Sequence, residues 1–158
     1  MAVFTADDGV QIHYETRGDK GPGLILSHGW CGQRNHWAPQ LDYFSKNYRV
    51  LALDRRGYGA STPPANYQYS LEREAADAAA IAKSLGITDA TVVGHAGGFP
   101  GALGLAAHYP DLVKRLVLEE GVPLGHTPAM DELVNGLIQN ISGPGFEDAM
   151  REIGRAHV

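Results

Sequence analysis

The stretch VVGHAGGFPG, residues 92–101, constrains this chain more than any other. An apolar run ends in Gly94-His95, and three small residues follow. Phe99 then opens a segment rich in Ala, Gly and Leu that reads as a helix. A strand that turns so abruptly into a helix needs small neighbours, because its tip residue is held in strained backbone with the side chain exposed. Gly94 and Gly98 flank the tip, and Gly97 adds slack. Turns of this kind present a nucleophile, yet the tip residue here is Ala96, which has no nucleophilic atom. The plain alternative is a glycine-rich connection without chemistry.

The elements on either side decide between these readings. VFTADDGVQIHYETRG alternates around Asp8-Gly9 and predicts a hairpin over Val3–Thr16. Leu24–Ser27 reads as a short buried strand, and YRVLALD as another that ends at Asp54. Between them, Trp37, Leu41 and Phe44 give a weak helical spacing. RRGYGASTPPANYQY is loop by its Gly and Pro content. The clearest helix is capped by Ser70, repeats Leu71, Ala75, Ala78, Ala82 and Leu85 along one face, and stops at Gly86. ATVVGH is the next strand, Phe99–His108 the next helix, and VKRLVLEEG a sixth strand. Further helices are expected over Met130–Ile141 and from Phe146 onward.

Strands alternate with helices after the hairpin. That order predicts an α/β fold with a mostly parallel sheet and helices on both faces. Reactive residues in such sheets gather at the carboxyl ends of the strands. His28-Gly29, Asp54, Ala96 and Glu119-Glu120 all fall there.

Composition narrows the function. The chain has 158 residues, 44% of them hydrophobic, which suits one domain with a core. Its net charge is -5, and basic runs such as Arg55-Arg56 are only two residues long, so a nucleic-acid surface is not expected. No apolar run approaches the roughly 20 residues of a membrane span. MAVFTADDGV lacks the basic and apolar regions of a signal peptide. The lone Cys31 cannot close an internal disulfide, which fits a reducing compartment, and a cytoplasmic location is expected. No pair of the seven histidines has metal-ligand spacing, so neither a metal nor another cofactor is expected. The expected partner is a small-molecule substrate or ligand, and nothing in the chain bears on oligomeric state.

Three motifs in order now carry a resemblance. They are HGWCGQRNHW (28–37), DRRGYGAS (54–61) and GHAGG (94–98). Over residues 3–126 the chain resembles the N-terminal half of an α/β-hydrolase-fold protein, nearest the epoxide hydrolase, haloalkane dehalogenase and haloperoxidase-like esterase groups. The resemblance implies a nucleophile elbow at Ala96, where the family carries Asp or Ser. Asp would open an epoxide or alkyl halide, and Ser would attack an ester carbonyl. It implies an oxyanion hole from the backbone N–H groups of Trp30 and Gly97, and local support from His28, Gly29, Gly94, His95 and Gly98. It makes Glu120 a candidate acid after the sixth strand, although Glu119 and Glu120 also read as ordinary strand-end residues. Asp54 is expected to organise its own turn with Arg55 or Arg56. Dehalogenases hold halide with Asn and Trp where this chain has Trp30 and Gly97, and epoxide hydrolases usually carry Pro where Cys31 stands.

The same resemblance places the catalytic histidine beyond residue 158, and it implies a sheet cut short before its last strands. The sixth strand would then be an exposed edge. Residues 127–151 would begin a cap region. The final seven residues, EIGRAHV (152–158), coincide with the translation of one frame of a common short-read sequencing adapter, GAG ATC GGA AGA GCA CAC GTC, followed by a stop. They are expected to be non-native, with the natural frame running on past Arg151. With Ala96 at the tip, covalent turnover is not expected, since loss of a triad nucleophile costs about a million-fold in kcat. The other reading is a non-catalytic protein of this fold that binds a small apolar ligand. A nucleotide-binding sheet is disfavoured, because GHAGGFPG lacks both the Gly-x-Gly-x-x-Gly spacing and a P-loop lysine.

Overall fold

The structure is a computed structural model, and it describes residues 1–65 and 69–120. The expected helices after residue 129, the cap region 127–151 and the tail 152–158 lie outside the described residues. Six strands form one sheet: β1 (Ala2–Thr5), β2 (Gln11–Arg17), β3 (Gly23–Ser27), β4 (Arg49–Leu53), β5 (Ala90–His95) and β6 (Val113–Glu119). Their order is β1-β2-β4-β3-β5-β6. The pairs β1–β2 and β2–β4 are antiparallel, while β3–β4, β3–β5 and β5–β6 are parallel. The expected hairpin is β1–β2. Its turn closes with Ala6 N–H donating to Val10 O at 2.8 Å and Gly9 N–H to Ala6 O at 3.0 Å.

The side-chain period of two along the strands sends alternate residues to opposite faces. Leu24, Leu26, Val50 and Ala52 face one side, where Trp37 and Leu41 cover them. Leu41 belongs to α1 (Ala38–Phe44), which follows a 3-10 turn at Arg34–Trp37. Ile25, Leu51, Leu53 and Val92 face the other side, beneath α2 (Leu71–Ser84) and α3 (Phe99–His108). Helices therefore cover both faces.

The small residues of α2 and α3 bring these helices close to each other and to the sheet. Ala75, Ala78 and Ala82 of α2 are buried as the repeat predicts, but Leu71 is 41% exposed. Ser70 caps α2 by accepting the Arg73 N–H at 3.2 Å, and Gly86, at φ +62°, ends it. Among the described residues β6 pairs on one side only, with β5, and Val117 and Leu118 are exposed. No helix among the described residues is long and apolar enough to cross a membrane.

One contact positions the β5–α3 turn. A Cβ at Gly98 would lie 2.5 Å from the carbonyl oxygens of both Ser27 and His28. Only a hydrogen fits between the turn and the end of β3. Gly98→Ala should therefore destabilise the fold by about 1–3 kcal/mol through overpacking. Urea denaturation checks this, and an unchanged midpoint would show that the β3 end yields freely.

Candidate active site

The candidate site lies where β3, β5 and β6 end. Ser27 pairs with Gly94, and His95 with Glu119, so the three strand ends are level. β5 ends at His95 in extended backbone, and Ala96 then turns to φ +45°. A non-glycine residue in this region costs of order 1–3 kcal/mol. A 3-10 turn over Ala96–Gly98 leads straight into α3. Gly94 is small for the same reason as Gly98: a Cβ there would stand 2.6 Å from the Ala102 side chain. A left-handed, non-glycine backbone is thus present at Ala96, which is half-buried.

The loop after β3 meets this tip. A Cβ at Gly97 would fall 2.7 Å from the backbone nitrogen of Trp30. The Trp30 N–H has no hydrogen-bond acceptor among the described residues. Its direction follows from its own peptide. The Gly29 carbonyl accepts three hydrogen bonds: from His28 Nδ1 at 2.8 Å, Arg55 Nη2 at 3.2 Å and Gly32 N–H at 3.2 Å. In a trans peptide the carbonyl and the next N–H point opposite ways. Holding the Gly29 oxygen therefore directs the Trp30 N–H away from Arg55. The Trp30 side chain itself is 58% exposed and is not packed in the core.

Two features of this cluster were not legible in the motifs. The first is the set of arginine partners. Asp54 does hold its own turn, by accepting the Ala60 N–H at 3.0 Å and through its carbonyl, which accepts the Ser61 hydroxyl at 2.7 Å. Its ion pair, however, is with Arg34 and not with Arg55 or Arg56. Arg55 pairs with Glu74 at 3.1 Å, and Arg56 with Asp77 and Asp8 at 2.8 and 2.9 Å. Burial pushes the Glu74 carboxyl up, against the pull of Arg55. A signal existed: Glu74 and Asp77 are acids three apart beside an alanine stripe, with two arginines to receive them.

The second feature is the pair His95–Glu120. His95 Nε2 and Glu120 Oε2 are 3.2 Å apart, and the Trp37 ring stands edge-on to His95 at 6.4 Å between centroids. The candidate acid thus has a described partner that its motif did not indicate. Cys31 is exposed, at φ +54°. A groove of about 690 Å³ beside α2 and the end of α3 includes Lys83, Tyr109 and Pro110 and none of the residues around Ala96.

The region matching the α/β-hydrolase fold model spans residues 22–152. The chain is 38% identical to epoxide hydrolase 4 of Mus musculus over 118 residues, covering 73% of this chain and 33% of that protein. It is 38% identical to a non-heme haloperoxidase of Rhodococcus erythropolis over 125 residues, covering 78% and 45%. Among solved structures, a hydrolase from Pseudomonas aeruginosa PA01 matches with a TM-score of 0.78 at 29% identity, covering 97% of this chain and 57% of that one. Est816, described as an N-acyl homoserine lactone degrading enzyme, matches with a TM-score of 0.74 at 26% identity, covering 83% and 51%. The chain spans less than half the length of these curated relatives.

A mostly parallel sheet, covered by helices on both faces and led by an antiparallel hairpin, defines the class. The chain belongs to the α/β-hydrolase fold family.

His28 supplies a pH test of the loop. It is 1% exposed, donates from Nδ1 to Gly29 and accepts the Arg55 N–H on Nε2 at 3.1 Å, so it is the neutral tautomer. Burial pushes its pKa down from 6.5 to about 4. Between those values the unfolded ring binds a proton that the folded ring refuses, so stability is present above pH 6.5 and lost on the way to 4. From pH 7 to 4.5 the chain should lose about 2 kcal/mol more than a His28→Gln variant. Equal losses in urea titrations would contradict this.

Proposed function

We propose that this chain is the N-terminal part of an α/β-hydrolase that cleaves an ester, lactone or epoxide by covalent catalysis at position 96, and that the chain with Ala96 does not form the covalent intermediate. The observation that carries this reading is the left-handed backbone of Ala96 at the β5–α3 turn. Strain of this kind clusters at sites that present a reactive side chain. The neighbouring amides support it. Trp30 N–H and Gly97 N–H would stabilise the oxyanion of a tetrahedral intermediate, and backbone donors are unaffected by the side chain at 96. Names among the relatives include an epoxide hydrolase, and a structural neighbour is described as degrading a lactone.

In a Ser enzyme the hydroxyl would attack the carbonyl and water would later release the acid. In an Asp enzyme the carboxylate would open the epoxide and form an ester. The general base belongs to the part of the family fold that this chain does not span, and residues 127–151 would begin the cap that governs substrate choice. Glu120 is the candidate acid within this chain. Ala96 also favours a second reading, a binder of small apolar ligands, because a methyl group at the tip offers contact and no chemistry.

Sequencing the source gene through codon 96 and past codon 151 separates these readings. The expected result is an open frame that replaces EIGRAHV and reaches a late acid and histidine; Asp or Ser at codon 96 would then select the chemistry. A stop directly after Val158 with Ala96 intact would overturn the enzyme reading.

A further inference from the structure

We propose that His95 and Glu120 form a general-base pair that activates a water beside Ala96, giving the chain slow, non-covalent hydrolysis of activated esters. The pair stands next to the tip. His95 gives Nε2 to Glu120, which leaves Nδ1 as its other nitrogen. That nitrogen packs towards Gly29: a Cβ built there would lie 3.0 Å from His95 Nδ1 and 3.4 Å from Ala96 Cβ, so His95 Nδ1 and the tip residue meet at the same glycine. Ala96 itself contributes only a methyl group beside His95. Trp37 holds the His95 ring edge-on, and the Glu120 carboxylate selects the tautomer with the proton on Nε2.

The step balances without any co-reactant. Water attacks the ester carbonyl, and its proton passes to His95 Nδ1. The carbonyl oxygen takes the negative charge beside the Trp30 and Gly97 N–H groups. Collapse then breaks the bond to the leaving alkoxide or phenoxide, which takes the proton from Nδ1. The products are the acid and the alcohol. A positioned base of this kind contributes about 10²–10⁴-fold, far below covalent catalysis. His95 is thus the catalytic residue, and Glu120 a positioning residue. The inference rests on the preceding reading for its oxyanion donors only.

The test uses the full chain with Cys31→Ser, which removes the exposed thiol, and p-nitrophenyl acetate. The expected result is turnover above the buffer rate with no initial burst. It should fall about tenfold or more in His95→Gln, and severalfold in kcat with KM unchanged in Glu120→Gln. Added imidazole should raise the rate of His95→Gly above that of the same imidazole without protein and more than it raises that of the unaltered chain, which a merely structural histidine would not allow. Thermal melting of each variant verifies that it folds. Turnover at the buffer rate, or unchanged in His95→Gln, would overturn the pair. Trp30→Pro, which deletes the N–H, separates the two ideas. If only Trp30→Pro lowers the rate, the donors stand and the pair falls; if only the His95 variants do, the pair stands and the donors fall.

Discussion

The approach of Gly98 to the carbonyls of Ser27 and His28 is the contact on which the rest of the site depends. It lets the β5–α3 turn lie directly against the end of β3. Without it, α3 would move outward, and Ala96 would lose its position beside Gly29. The strain at Ala96 is sustained by the same packing, because Gly94 lets the start of α3 close over β5. Strand end, turn and loop therefore act as one rigid block, whose cost in backbone strain is offset by the core beneath it.

Around that block, buried charge replaces apolar packing. Arg34, Arg55 and Arg56 each meet a carboxylate, from Asp54, Glu74 and Asp77 respectively. Such pairs add little net stability over apolar packing, but they are costly to break, by about 3–5 kcal/mol when one partner is lost. Their effect here is orientation. Arg55, held by Glu74 and lying over the Tyr58 ring, keeps the Gly29 peptide turned. The neutral His28 does the same from the other side. A line of interactions thus runs from α2 through Arg55 to the Trp30 N–H.

The fold was largely legible because its signals are local. Asp8-Gly9 marks a hairpin, Ser70 and Gly86 bound α2, and Phe99–His108 is a helix of the expected limits. Leu24–Ser27 and the run ending at Asp54 read as short buried apolar strands, and the structure buries both. The site was legible as to which residues gather: His28, Gly29, Trp30, Ala96 and Gly97 came from motifs far apart in the chain and meet at one end of the sheet. Their partners were not legible. Arg55 adjoins Asp54 in sequence, yet successive residues leave a strand end in opposite directions, so Asp54 reaches back to Arg34 and Arg55 reaches across to α2. The meeting of Glu120 with His95 likewise depends on strand register, which no single motif contains.

The most direct measurement is the reactivity of a thiol placed at the tip by Ala96→Cys in a Cys31→Ser background, followed as alkylation by iodoacetamide against pH. A half-buried tip beside the Trp30 N–H and at the head of a helix stabilises a thiolate. The expected result is rapid alkylation, with a thiol pKa clearly below the ordinary value of about 8.5. A thiol that reacts slowly, or that titrates at or above that value, would contradict the claim that this turn is built to present a reactive atom.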